Sequence, residues 1–368
     1  MKKIIQGLWL TIAFISTAYA QTKVPFTSER WNLPEGQVML ETYQGKESLL
    51  LKGGIAYLED TDFEDGIIEF DVAFEEGRGF IGMIFRQQDR INYEEFYMRP
   101  HQSGNPDATQ YTPVLNGLSG WQLYFGPGFS TAFTYDFDTW MHVKLVVSGD
   151  QAEVYIRDME TPVLFMHDLK RETKAGGLGL KVNANMTPGH YANFTYQKMK
   201  NPPLKGSFKD EFKPHSGQIK NWSVSQPFSD NWFNQRLTLN DSDRKGWEWT
   251  KLEAEPDGLA NFSRLWQKTN DMNAVFAKVE LTATEDHIQP LELAFSDKVI
   301  IYVNGRIIYS GTDGFRSRDY RFLGSIGYFD TVFLPLKKGE NEVLIGVSEA
   351  FGGWGIKGRL LDFDKVKW

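Results

Sequence analysis

Between Gln21 and about Tyr196 the chain alternates hydrophobic and polar residues in short runs broken by Gly, Asp and Asn. The runs are Ile67–Phe74, Gly79–Phe85, Glu94–Met98, Trp121–Phe125, Trp140–Val147, Glu153–Arg157, Leu178–Val182 and Tyr191–Tyr196. Side chains of a strand point alternately to opposite faces, so each run predicts a β-strand with one face on a core. No stretch there carries a helical period, and the even spacing predicts an antiparallel sandwich. Several runs are hydrophobic on one face only, which leaves one sheet face open to solvent or ligand.

Asn201-Pro202-Pro203-Leu204-Lys205-Gly206 reads as a linker, residues 201–206. Beyond it, strands are predicted at Gly246–Leu252, Ala260–Trp266, Asn273–Thr282, Leu291–Phe295, Val299–Val303, Arg306–Tyr309, Thr331–Leu334, Glu342–Val347 and Trp354–Leu360. Asn304-Gly305, between VIIYV and RIIY, is a strong two-residue hairpin turn. The expected fold class is all-β: two β-sandwich (jelly-roll) domains, residues 21–200 and 207–368, after a cleaved signal peptide.

That peptide is residues 1–20. Two lysines precede an apolar core from Ile4 to Ile15, and Ala18-Tyr19-Ala20 supplies a small-x-small cleavage pattern. The apolar run is short for a membrane span, so the expectation is an exported protein, periplasmic or secreted, without membrane insertion. There is no cysteine, so neither a disulfide framework nor a lipoprotein anchor is available and the core must hold the chain together. Loss of Lys2 and Lys3 moves the net charge from −8 to −10, which argues against nucleic acid or an anionic membrane as partner. Aromatic residues make up 14% of the chain, with 11 Trp. That suits stacking on the apolar face of a sugar, and equally suits a large β-sandwich core.

The stretch Tyr93–Gly126 concentrates the candidate chemistry. In Glu94–His101, Phe96, Met98 and Pro100 fall on one side and Glu95, Tyr97, Arg99 and His101 on the other. A long connection adds Asn105, Asp107, Gln110, Tyr111 and Asn116 before Trp121, and Gln122 and Tyr124 take the outward side of the next predicted strand. Long loops are usually functional or disordered, and the aromatic content argues against disorder. Arginine with carboxylate, amide and aromatic groups is the inventory of a sugar site. Glu95, Tyr97, Arg99, His101, Tyr111, Trp121, Gln122 and Tyr124 are therefore the candidate ligand-binding residues. Those of Glu94–His101 alternate with core positions, so each is expected to be replaceable without hollowing the core. The plain alternative is a solvated face with an ordinary hairpin loop.

Glu69, Asp71 and Glu75 alternate with the core residues Ile68, Phe70, Val72 and Phe74. Two carboxylates on such a face, held about 5 Å apart, can serve a retaining glycosidase as nucleophile and general acid. The acidic turn Asp60-Thr61-Asp62-Phe63-Glu64-Asp65-Gly66 is a weak candidate for Ca2+ through Asp60, Asp62 and Asp65, and no cofactor is required. Gly-x-Ser-x-Gly, His-pair zinc and phosphate-loop motifs are missing. In the second half, Trp222, Trp232, Trp247, Trp249, Trp266 and Trp354 suggest either a platform or a buried face. Arg316 and Arg318, in the loop after Gly314, are candidates for exposed contact.

The first domain resembles the concanavalin A-like lectin/glucanase superfamily, the laminin-G-like jelly roll. The segments Asp65–Val72, Gly82–Arg86, Trp140–Val147 and Gly176–Leu180 carry that resemblance. The second resembles the galactose-binding-like domain of family-two glycoside hydrolases, through Val303–Arg306, Leu336–Leu344 and Phe351–Gly355. The spelling E-x-D-x-x-x-E is similar to the bulged active-site motif of family-sixteen glycoside hydrolases. That likeness implies Glu69 as nucleophile, Asp71 as helper and Glu75 as acid/base. Three readings stay open: a carbohydrate-binding protein or accessory factor in glycan utilisation, a glycan-active hydrolase or lyase, and a structural or adhesion scaffold.

Overall fold

The alternating runs pair into antiparallel sheets in the computed structural model, which describes residues 22–207, 214–234 and 236–368. The expected signal peptide lies outside the described residues. One sheet orders its strands Leu164–Met166, Gln151–Ile156, Met141–Ser148, Gly66–Ala73, Gly189–Lys198, Lys46–Leu51 and Val38–Tyr43. The facing sheet runs Leu118–Ser119, Thr109–Leu115, Asn92–Met98, Ile81–Asp89, Gly176–Val182, Gly54–Phe63 and Trp31–Asn32. Phe70, Val72 and Val143 of the first meet Met83, Phe96 and Leu180 of the second in one core. Each such side chain contributes roughly 1.5–3 kcal/mol by leaving water.

Residues beyond 214 build a second sandwich. Its larger sheet runs Trp249–Glu253, Asn221–Ser225, Ala274–Ala283, Gly339–Ser348, Lys298–Val303 and Arg306–Thr312. The smaller one runs Ala260–Asn261, Gly355–Leu360, His287–Phe295 and Asp330–Leu336. Asn304 and Gly305 both have positive φ (50° and 76°), as the hairpin turn requires. Trp222 and Trp354 lie in the core of this sandwich. Trp232, Trp247 and Trp249 pack with Phe228 over Phe276, so these tryptophans serve burial rather than a platform.

Three expectations need correction. The connection after His101 contains a strand, Thr109–Leu115, buried along its whole length. The predicted strand Trp121–Phe125 is a turn. The 201–206 stretch is no free linker: the amides of Lys205 and Gly206 donate to the Glu153 carboxylate at 3.0 and 2.8 Å.

The turn at Trp121–Tyr124 is a turn because it is wedged into the second sandwich. Gln122 N donates to Gly352 O (2.7 Å), Ile326 N donates to Gln122 O (2.9 Å), and Gln122 Nε2 donates to Leu323 O (2.8 Å). Gly352 and Gly324 have φ of 105° and 81°. A Cβ at either would stand 2.3 or 2.2 Å from the Gln122 amide. Only glycine supplies both the conformation and the space. Beside this clasp, Tyr124 Oη donates to Glu255 (2.5 Å), and Lys170 and Arg264 each reach Glu255 at 2.9 Å.

Gly352→Ala should therefore lower stability by roughly 1–3 kcal/mol, through a strained φ and overpacking against Gln122. Thermal denaturation of Gly352→Ala beside Gly246→Ala, where the glycine φ is also positive but nothing lies within 4 Å, separates the crowding from the φ strain. Equal losses in the two variants would contradict the clasp.

Candidate functional site

The outer face of the second sheet is built from the side chains that alternate with the core. Register places Gly82 opposite Tyr97, Ile84 opposite Glu95, and Lys181 beside Gly82. The floor of the face is polar and closed. Glu95, Tyr97 and Arg99 are 4%, 4% and 3% exposed, so the plain alternative of a solvated face fails and so does the expectation that each can be replaced freely, although their side of the strand is the one alternation assigns. Burial is tolerated because each has partners. Lys181 Nζ donates to Glu95 (2.6 Å), Tyr97 Oη donates to Gln110 (2.9 Å), and Arg99 donates to Tyr97 Oη (2.8 Å) and Asp107 (2.7 Å). Burial works against the Lys181 ammonium, but Glu95 outweighs it and keeps Lys181 charged well beyond its ordinary range.

The Arg99 guanidinium lies 5.0 Å from the centroid of Tyr97, 5.3 Å from Trp121 and 5.6 Å from Phe80. Such a cation holds aromatic faces in fixed positions. Phe80, His101 and Trp121 remain half-exposed around this centre, as does Lys181 on the neighbouring strand. The ring of His101 stands edge-on to Phe80 at 5.4 Å. Burial, with the nearby cations Arg99 and Arg78, holds His101 below its ordinary value, so it is neutral at pH 7. Its Nδ1 accepts from Gly79 N (3.4 Å), which leaves Nε2 carrying the proton as a donor. The arrangement offers apolar ring faces with a neutral imidazole and the Lys181 ammonium beside them.

Other predicted ligand contacts lie elsewhere. Tyr111 is fully buried in the core, donating to Glu94 at 2.7 Å. Gln122 and Tyr124 are spent in the seam between the sandwiches. Polar residues in that stretch therefore make buried bonds rather than a second wall of the site. Phe80 and Lys181 were not among the expected residues. Lys181, between the core positions Leu180 and Val182, carries the same alternation signal as Glu95.

Glu69 and Asp71 stand on the outer face of the other sheet, and Glu75 lies beyond that strand's end, exposed. The core separates them from the Arg99 face, so the two constellations cannot act on one bond. Pairing of Gly66–Ala73 with Met141–Ser148 is continuous, without the bulge the resemblance implies. The bulge is on the neighbouring strand, between Ala192 and Thr195. Asp71 binds Lys46 (2.6 Å), His142 (2.7 Å) and Asn193 (2.7 Å). Desolvation pushes its carboxyl up, but these hydrogen bonds prevail and hold it far below the usual carboxylate range. Asp71 is thus a fixed anion rather than a proton carrier.

Asp65 accepts from Arg86 (2.8 Å) and Gly149 N (3.0 Å), while Asp60 and Asp62 are exposed. Among the described residues no group of three His, Asp or Glu side chains is placed to hold a metal. Arg318 is tied to Asp313 (2.5 Å) and Asp330 (2.7 Å), whereas Arg316 is exposed over Phe315. Two open clefts of about 410 Å³ lie away from the Arg99 face, one at Phe233 and Lys298, the other at Pro127 and Val163.

Two outcomes follow. Arg99→Ala should lose about 3–5 kcal/mol, because Asp107 is left buried and unpaired; unfolding should show this, and a neutral result would restore the solvated face. Glu94, pushed up to about 6 by burial, is protonated in the folded chain at a pH where the unfolded chain has ionised. Its contribution is complete below about pH 4.5 and is lost as pH rises through about 6, a change of about 2 kcal/mol. Denaturant unfolding of the protein and of Glu94→Gln should diverge over that window; a difference constant with pH would contradict the assignment.

No protein-family model matches the chain, and neither does any curated protein. Among solved structures it is similar to the carbohydrate binding module CBM66 from Bacillus subtilis, at 19% identity over 48% of this chain and 95% of that one, TM-score 0.34. It is similar also to the Bacillus licheniformis beta-glucanase, at 10% identity over 50% and 94%, TM-score 0.33. A third is the exoplasmic/lumenal domain of VIP36 in its Ca2+/Man3GlcNAc-bound form, at 12% over 51% and 90%, TM-score 0.36.

Proposed function

We propose that this is an exported carbohydrate-binding protein, an accessory in glycan utilisation, whose ligand lies on the outer face of the second sheet. The observation that carries the reading is the group of rings Phe80, Tyr97 and Trp121 fixed around one buried guanidinium, with neutral His101 at its edge. Aromatic faces take up the apolar side of a sugar ring, and a few placed polar groups orient its hydroxyls. The concanavalin A-like resemblance, carried in part by Gly82–Arg86 and Gly176–Leu180 of this sheet, points the same way.

Binding is favoured over hydrolysis by how the carboxylates are used. Hydrolysis of a glycoside needs two carboxyl groups free to exchange protons or attack. On this face Glu95 is held by Lys181 and Asp107 by Arg99.

An immobilised glycan panel tests this with the mature chain and two variants, Phe80→Ala and His101→Ala. Each should weaken binding at least tenfold, about 1.4 kcal/mol, while the melting temperature shifts little. Undiminished binding in both variants would move the site off this face. Release of new reducing ends from a bound glycan would replace binding with catalysis.

A further inference from the structure

We infer that the ligand face continues across the seam onto the second sandwich and takes an extended glycan chain rather than a single terminal sugar. The inference rests on the sugar-binding reading of the first sandwich and adds a ligand length and a second set of contacts. Its basis is a row of rings. Trp121, which closes the Arg99 group, lies 6.0 Å from Phe351, and Phe351 lies 6.0 Å from Phe315. Phe351 and Phe315 are 49% and 41% exposed. The rings thus run without a gap from a half-buried site on one sandwich to open surface on the other.

The backbone that carries these exposed rings is held. Phe351 sits between Ala350, whose N donates to Asp297 (2.7 Å), and Gly352, whose carbonyl accepts from Gln122. Phe315 precedes Arg316, whose N donates to Phe322 O (2.8 Å), and Arg318 ties the same loop to Asp313 and Asp330. Large apolar side chains presented in the open on a bonded backbone, and contiguous with further rings, mark a contact surface. Fixing that backbone beforehand lowers the ordering cost of binding. A terminal sugar would be served by the Arg99 group alone. Successive rings at short intervals suit successive sugar faces along a chain. Arg316, 4.9 Å over Phe315, adds an exposed hydrogen-bond donor beside the outer ring. That mixture, continuous with the sugar face, favours a glycan over a protein partner.

The test uses the full mature chain and fluorescently labelled di- and hexasaccharides of the β-glucan, xylan, mannan and uronan series. In the series that binds, the hexasaccharide should bind at least tenfold more tightly than the disaccharide. The double variant Phe351→Ala, Phe315→Ala should remove that advantage and leave disaccharide affinity unchanged, whereas Phe80→Ala should weaken both lengths. Equal affinity for the two lengths, or a hexasaccharide indifferent to the double variant, would overturn the extension while the first-sandwich site stands. Binding in none of the four series, or binding untouched by Phe80→Ala, would remove the underlying reading and this inference with it.

Discussion

The backbone of Gln122 is shared between two sandwiches, and much of the candidate surface depends on that sharing. Its N–H and C=O each bond to a different loop of the second sandwich, and its side-chain amide bonds to one of them again. Three bonds from one buried residue fix a turn that would otherwise be a surface loop. The neighbouring Trp121 is thereby set against Phe351 on one side and the Arg99 guanidinium on the other. Gly324 and Gly352 are the other half of the device, since any side chain there would occupy the place of the Gln122 amide. The Phe-Gly-Gly segment at 351–353 thus joins an exposed ring to a close backbone approach.

The same economy governs the charged groups. Arg99, Asp107, Glu95 and Lys181 are costly to bury singly and tolerable as partners. On the face proposed for the ligand they act as scaffold, positioning the rings, with half-exposed aromatics and a neutral imidazole around them. On the opposite face Asp71 is paired with Lys46 and hydrogen-bonded by His142 and Asn193 in the same manner.

Much of this was legible in the sequence, and the failures have physical causes. Strands with one face on the core, such as Gly66–Ala73 and Met141–Ser148, announce themselves because alternation is a direct readout of half-burial. Thr109–Leu115 does not, because both its faces are buried and its Thr, Gln and Tyr side chains bond internally. The early hairpin Val38–Tyr43 to Lys46–Leu51 turns on Gln44-Gly45, a local signal the alternation pattern alone does not capture. Trp121–Phe125 imitates a strand since Leu123 and Tyr124 are buried, but the element that buries them is more than a hundred residues away. Side for side, Glu95, Tyr97 and Arg99 are where alternation put them, whereas the strand stops at Met98 and His101 stands in a 3-10 turn, Pro100–Gln102, that the expected strand Glu94–His101 did not foresee. What alternation cannot show is whether a polar side meets water or other polar groups, and here the floor is closed and the rim open.

Hydroxyl-radical footprinting of the protein, with and without a bound hexasaccharide, addresses the central claim most directly. The account predicts ligand-dependent protection of Phe80, Trp121, Phe351 and Phe315, with Tyr43 and Trp140 on the opposite sheet unchanged. Protection of Tyr43 and Trp140, with the Phe80-to-Phe315 row left as reactive as in the free protein, would contradict it.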